Sequence, residues 1–411
     1  MKIYGLIGRK LGHSLSVPIH RAMGNMAYQL YEMEPCDIEA FVKNPDLGGI
    51  NVTVPYKLEV MPYLDEISPE ARAIGAVNTV VNRGGRLIGY NTDKDGFLAL
   101  VKASGIEIEG KKVLILGAGG TSKTAKYCLE LLGAESITVL DSKTNTPENQ
   151  AKLGDTQVIV NCTPVGMKPN YLKSPANLDF FPECDGVIDV IYNPLRTKLL
   201  MDAEARGMKN IGGLIMLTAQ AKKAHELFFG TSTEEDFAEK FASTLFKSSE
   251  NIVLVGMPGS GKSTVGKLLA EKMGREHFEL DDIIAERAGM NIPAIFERGG
   301  EELFRQIESD VIFDISQNNS CVIITGGGAV TREQNYQPLH QSSRIYRITR
   351  NLDLLDMSGR PLSKNLDTLR EMERVREPMY RRFADVEIEN AADPMDTVAK
   401  ILEDFNENSC Y

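Results

Sequence analysis

At 411 residues, 42% hydrophobic and 25% charged, the chain is too long for one ordinary core and has the make-up of a globular protein. No apolar run nears the roughly 20 residues of a membrane helix, and MKIYGLIGRKLGHS is too briefly apolar for a secretory signal, so a cytoplasmic protein free of membranes is expected. A net charge of −11 argues against a general nucleic-acid binder, and six scattered cysteines without a CxxC pair suggest neither zinc nor disulfides.

Along the chain, apolar strand-like runs alternate with helical patterns: KIYGLIG, GGINVTV, KKVLILG, ESITVLD, VIVNC, GVIDVIY, NIVLVG, CVIITGGG and RIYRIT. This alternation predicts an α/β protein built on parallel sheets with helices on both faces. Three α/β modules are expected: a substrate domain over 1–102 rejoined by about 214–240, a Rossmann dinucleotide domain over 103–213, and a P-loop domain over 251–411. The charged, helix-patterned TSTEEDFAEKFASTLFKSSE precedes the fresh strand NIVLVG, which puts the main boundary near Lys247–Glu250 with a linker at 241–250.

The strand KKVLILG runs into Gly117, Gly119 and Gly120, then a helical stretch, then a second strand that ends at Asp141. Glycines there let the backbone approach a pyrophosphate, and the helix N-terminus offers it free N–H groups. Asp141 sits where a carboxylate accepts hydrogen bonds from ribose hydroxyls and repels a 2′-phosphate, which taken alone favours NAD.

GHSLSVPIH, NVTVPYK, GAVNTV, GYNTDKDG, VIYNPLRTKLL and GLIMLTAQA follow one another through residues 1 to about 240 in the order found in shikimate dehydrogenases, which this half resembles. The resemblance implies that Ser14 and Ser16 bind the shikimate carboxylate, with Tyr192 nearby. It implies that Thr53, Asn78, Asp93 and Gln220 hold the ring hydroxyls, and that Gly213 belongs to the cofactor set. Lys57 and Asp93 would be the catalytic pair, a lysine beside a carboxylate being able to supply the proton that ketone reduction needs. One departure concerns the cofactor: Asp141-Ser142-Lys143 stands where NADP-using members have Asn-Arg-Thr. Lys143 or Lys123 would replace the arginine only as a point charge. NADP is thus the family expectation and NAD the alternative.

In the second half, NIVLVG-MPGSGKST fits GxxxxGK[ST] between a strand and an amphipathic helix. Backbone N–H groups from Gly256, Gly259, Ser260, Gly261 and Thr264 would cradle ATP phosphates, Lys262 would reach the β- and γ-phosphates, and the Ser263 hydroxyl would bind Mg2+. FELDDIIAERAG, GGEELFRQIE, ITGGGAV, SGRPLS and REPMYRRFAD then follow the order of shikimate kinases, which this half resembles. That resemblance implies that Asp281 holds ring hydroxyls and accepts the proton of the attacking one. It assigns Arg305 and Arg376 to the substrate carboxylate, packs Gly326, Gly327 and Gly328 against the substrate, and makes Arg360 the lid arginine that closes over the phosphates. Here too the chain departs: Glu279 replaces the first Asp of a DxD pair that supports Mg2+, a longer carboxylate able to act through water. The stretch before Arg360 is acidic and has no second arginine close by.

The joint expectation is a bifunctional shikimate-pathway enzyme with small-molecule partners, 3-dehydroshikimate and shikimate, and with NADP or NAD, ATP and Mg2+. Two alternatives stand beside it: a quinate/shikimate dehydrogenase fused to the kinase, and a non-catalytic sensor of shikimate-like acids. Intact Lys57, Asp93, Lys262 and Asp281 count against the sensor.

Overall fold

A computed structural model describes residues 2–12, 14–351, 366–390 and 392–408. By contact density it divides into two units. The first holds Met1–Met167, Lys173–Tyr192 and Leu199–Thr244, and the second holds Lys168–Leu172, Asn193–Lys198 and Leu245–Tyr411. Two short segments of the expected 103–213 module thus group with the second unit.

In the first unit, β1 (Ile3–Gly8), β2 (Tyr28–Glu32), β3 (Leu47–Val52), β4 (Glu66–Ile67), β5 (Thr79–Arg83) and β6 (Arg86–Tyr90) form one sheet in the order β2-β1-β3-β5-β6-β4. The expectation of parallel sheets throughout is corrected here, because β5 runs antiparallel to both β3 and β6. Only Gly84 and Gly85 separate β5 from β6, with φ of 64° and 95°. A turn that short closes a hairpin, whereas a parallel crossover needs a dozen or more residues.

A second sheet in the same unit contains β7 (Lys112–Leu116), β8 (Ser136–Leu140), β9 (Val158–Asn161), β10 (Gly186–Asp189) and β11 (Lys209–Ile211), all parallel, in the order β11-β10-β9-β7-β8. The direction of winding reverses between β7 and β9, so the glycine turn after β7 opens at the switch point where doubly wound sheets bind ligands. Leu114, Ile159 and Val187 are fully buried on neighbouring strands, which explains the unbroken apolar runs in the sequence.

The second unit carries β12 (Asn251–Val255), β13 (Glu276–Glu279), β14 (Cys321–Ile324), β15 (Ser343–Thr349) and β16 (Val386–Glu389), again all parallel, in the order β13-β14-β12-β15-β16. Its switch point lies at the end of β12, where the P-loop begins. Residues 241–250 are not the linker expected. Most of them continue the helix Phe237–Ser249, whose Ala238, Ala242, Leu245 and Phe246 recur at helical spacing and are buried.

Among the described residues, no helix is long and apolar enough to cross a membrane, Cys36, Cys128, Cys162, Cys184 and Cys321 are free thiols, and no cluster of three His, Cys, Asp or Glu could hold a metal ion.

Candidate active sites

A cleft of about 390 Å³ in the first unit is lined by Ser14, Ser16, Thr53, Lys57, Asn78, Asp93, Tyr192 and Gln220 together. All but Gln220 come from the end of an element or the loop beside it. Ser14 and Ser16 open the helix Ser16–Ala22, Thr53 and Lys57 follow β3, and Asn78 precedes β5. Asp93 starts the helix Asp93–Ser104, Tyr192 follows β10, and Gln220 lies in the helix Leu214–Phe229.

Lys57 Nζ donates to Asp93 Oδ2 at 2.5 Å, with only 13% and 10% of the two side chains exposed. The other oxygen, Oδ1, accepts from Asn78 Nδ2 at 2.9 Å, and Asn78 is itself fixed because its Oδ1 accepts from Thr92 N at 2.7 Å. An ion pair this far from water is held by geometry and by the bonds around it, because desolvation offsets much of the Coulomb attraction. The result is an ammonium donor held at one place in a cleft.

The glycine turn opens beside it. Gly117 has φ 107°, and a Cβ added at Gly120 would lie 3.6 Å from Lys57 Cδ. Gly119 caps the helix Gly120–Leu131 with open space where a Cβ would be, as close approach by a phosphate requires. Gly213 lines the same cleft, but its lack of a side chain also serves packing, since a Cβ there would collide with the Val190 carbonyl oxygen.

Asp141 lies at the surface and its carboxylate is engaged by its own turn. Oδ1 accepts from the Thr144 hydroxyl at 2.8 Å, Thr144 N at 2.8 Å and Lys143 N at 2.9 Å. The Thr144 hydroxyl first, then these backbone donors, hold the carboxyl below its usual range, so it is an anion at neutral pH. Lys143 and Lys123 are both exposed.

Behind the cleft, burial pushes the His20 imidazole down to about 3. An unfolded chain takes up that proton near pH 6.5 while the folded one does not, so stability falls as the pH drops from about 6.5 toward about 3. His20→Phe, which keeps the stacking on Tyr28, is expected to flatten the acid side of the first unit's unfolding midpoint between about pH 6.5 and about pH 4, measured by scanning calorimetry.

In the second unit, Gly256, Gly259 and Gly261 have φ of 146°, 83° and 95°, so the loop needs glycine to turn its N–H groups inward. Lys262 starts the helix Lys262–Met273, is 7% exposed, and donates to the carbonyl oxygens of Gly256 at 2.8 Å and Met257 at 3.0 Å. The Ser263 hydroxyl donates to Glu279 Oε1 at 2.8 Å, while Glu279 Oε2 is buried with no hydrogen-bond partner and has Lys267 Nζ 3.8 Å away. A hydroxyl and a carboxylate with a buried oxygen to spare are hard donors of the kind that Mg2+ takes.

The three glycines after β14 run through the centre of the remaining site. A Cβ at Gly326 would meet Asp281 Oδ1 and Glu308 Oε1, each at 2.9 Å. One at Gly327 would meet Pro258 of the P-loop at 2.6 Å, and one at Gly328 would collide with the Arg305 guanidinium. Arg305 is 5% exposed and gives Nη1 to Glu308 Oε2 at 2.6 Å, while Arg376 gives Nη1 to the Gly327 carbonyl at 2.9 Å. Asp281, both arginines, the glycines and the P-loop therefore converge, and Arg360 lies outside the described residues. Gly328→Ala is expected to displace the Arg305 guanidinium and lower the second unit's unfolding midpoint in scanning calorimetry, with the first unit's midpoint unchanged.

Comparison with known proteins fits both sites. The shikimate dehydrogenase substrate binding domain family matches residues 6–80, and the shikimate kinase family matches residues 258–406. The NADP(+) shikimate dehydrogenase of Symbiobacterium thermophilum is 36% identical over 262 residues, covering 56% of this chain and 89% of that relative. The chain belongs to the shikimate dehydrogenase family. It carries a shikimate kinase domain after the dehydrogenase. Of the solved structures, a chorismate mutase/shikimate 5-dehydrogenase fusion protein from Clostridium acetobutylicum superposes with TM-score 0.56 at 35% identity, over 60% of this chain and 97% of that one. The shikimate 5-dehydrogenase of Thermus thermophilus, in complex with NADP(H) and shikimate, gives 0.52 at 32% identity, over 59% and 99%.

Three residues of these sites escaped the sequence reading. Glu308 of the kinase is fully buried, its carboxyl pushed up by burial and drawn back by Arg305. Its place three residues after Arg305 on one helix face was the available signal. Asn390 braces the P-loop, giving Nδ2 to the Ser260 carbonyl at 2.7 Å, and nothing in the sequence marks it. Asn51 of the dehydrogenase lines the cleft and stands inside the quoted NVTVPYK run.

Proposed function

We propose that the chain reduces 3-dehydroshikimate to shikimate in its first unit and phosphorylates shikimate from ATP in its second, with the residues above in the roles the two families assign. The observation that carries the dehydrogenase reading is the Lys57–Asp93 pair opening into the cleft beside Gly120. A nicotinamide cofactor bound there supplies the hydride. Lys57 gives a proton to the ketone oxygen as the carbonyl carbon receives that hydride, and Asp93 keeps the ammonium aimed. Ser14, Ser16 and Tyr192 hold the carboxylate end, while Thr53, Asn78 and Gln220 orient the hydroxyl-bearing face.

In the kinase, a shikimate hydroxyl attacks the γ-phosphorus of ATP, the bond to the ADP oxygen breaks, and Asp281 takes the hydroxyl proton. Arg305 and Arg376 clamp the carboxylate, Lys262 neutralises charge on the transferring group, and Ser263 with Glu279 would hold Mg2+. The test is a spectrophotometric assay of nicotinamide oxidation with 3-dehydroshikimate and NADPH or NADH, followed by ATP and Mg2+ with detection of ADP. Turnover in both steps is expected, and binding without turnover would favour the sensor reading.

Asp141 supports a second reading of the cofactor, in which NADH is used alongside NADPH. Its anion repels a 2′-phosphate. Asp141→Asn is expected to raise the kcat/KM ratio of NADPH over NADH about tenfold, more at low salt than at high. An unchanged ratio would remove Asp141 from cofactor choice.

A further inference from the structure

A line of buried polar side chains runs from Tyr28 behind the dehydrogenase cleft to the Asn78–Asp93–Lys57 group. At the carboxylate end, the Ser14 hydroxyl bonds the Ser16 hydroxyl at 3.1 Å. The Tyr28 hydroxyl donates to Asn51 Oδ1 at 2.7 Å, and Asn51 Nδ2 donates to Thr79 Oγ1 at 3.0 Å. Asn51 and Thr79 are direct cross-strand partners, so the sheet register itself sets this step. The Thr79 hydroxyl is 3.1 Å from both Asn78 Oδ1 and Thr92 Oγ1, and Asn78 Nδ2 completes the line at Asp93 Oδ1.

Tyr28 and Thr79 are fully buried, and neither lines the cleft. A folded core has no need of so many polar groups there, since each costs free energy unless every partner is in place. Tyr28 is also clamped as a ring, stacked on His20 at 3.8 Å and 8°. The titratable groups around the line are Lys57 beyond Asp93, Asp95 and Lys94 on the following helix turn with Cys128 facing them, and His20 and His225 beside Tyr28.

We propose that Tyr28 is a positioning residue for the ketone reduction. Its one hydroxyl holds Asn51 and, through Thr79, steadies the Asn78–Asp93–Lys57 group. The proposal rests on reading the cleft as the shikimate site. Without the hydroxyl, Asn51 Oδ1 has lost a donor and can rotate, which withdraws its N–H from Thr79 and slackens Asn78 against Asp93. The substrate is then still bound, with its ketone and the Lys57 ammonium no longer in register.

Tyr28→Phe in the full chain removes that hydroxyl and keeps the ring. The expected result is a fall in kcat of about 10- to 100-fold, the scale set by sub-ångström misplacement of reacting groups. KM for 3-dehydroshikimate should change much less. Thr79→Val cuts the line at a second place and should reproduce the fall in kcat. The double variant should be no worse than the poorer single one within about threefold, because the two act through the same bond to Asn78. Kinase turnover in each preparation measures the amount of intact chain. Unaltered kcat in either variant, or a loss that tracks only the fraction unfolded, would overturn the proposal; if one variant does not fold, the other decides. If the wild-type chain does not reduce 3-dehydroshikimate, the reading of the cleft has failed instead.

Discussion

Lys57→Met is expected to lower kcat for ketone reduction about 10³-fold while leaving ATP-dependent phosphorylation of shikimate intact. The side chain is 13% exposed and gives its proton-bearing nitrogen to Asp93, so no water-borne donor stands at the same place with the same orientation. A positioned general acid contributes about 10² to 10⁴ in rate. Methionine also leaves the Asp93 carboxylate buried with only Asn78 to satisfy it, and removing one partner of such a pair destabilises by about 3 kcal/mol. The two effects separate in practice: initial rates of nicotinamide oxidation report the first, and the unfolding midpoint of the first unit reports the second. Asp93→Asn keeps the bonding shape without the charge, and a loss smaller than that of Lys57→Met would show that Lys57 is the proton donor and Asp93 its holder. A Lys57→Met enzyme within about tenfold of wild type would remove Lys57 from the chemistry.

Lys262→Met is the counterpart in the second unit, with phosphoryl transfer expected to fall about 10³-fold or more and 3-dehydroshikimate reduction unchanged. The Lys262 amine is held at the carbonyls of Gly256 and Met257, at the mouth of a loop whose glycines turn their N–H groups inward. Catalysis there is charge neutralisation and placement, so an apolar side chain of similar length removes the function and keeps the helix that follows. ADP formation with shikimate is the readout. Shikimate binding by calorimetry should persist, because Asp281, Arg305 and Arg376 are untouched. Loss of binding as well would mean that the P-loop lysine shapes the substrate pocket and not the transfer step alone.

Much of both sites was readable in the chain where their residues lie at the ends of strands and the starts of helices; Gln220, Arg305 and Arg376 lie inside helices. Gly117 to Gly120 and Gly256 to Thr264 are continuous segments in which turn, phosphate cradle and helix start are neighbours in sequence, so spacing alone carries the geometry. Lys57 with Asp93, and Arg305 with Arg376, are far apart in the chain and were legible only through the order of family motifs. Asn390 and Tyr28 lie outside those motifs, and Glu308 and Thr79 stand inside GGEELFRQIE and GAVNTV with nothing there to mark their role. Each is a polar residue whose role comes from what folds against it, and a buried glutamate reads in sequence like any other helix glutamate until Arg305 is seen beside it.

By itself the sequence determined the parallel α/β character of two of the three sheets, the two phosphate-binding turns and the chemical types at both sites. These follow from local rules: aliphatic runs buried on both faces, glycine where φ is positive, and a helix N-terminus after a strand. Only the tertiary structure decided that β5 and β6 form an antiparallel hairpin inside the first sheet, that the helix-patterned stretch ending at Ser249 buries one face and is no free linker, and that Asp141 gives its carboxylate to its own turn. It alone brought Tyr28 within reach of Asn51. The hairpin and the Asp141 turn close within a few residues, but the Tyr28–Asn51 and Asn51–Thr79 bonds join strands distant in the chain and are set by register and packing, which no local pattern encodes.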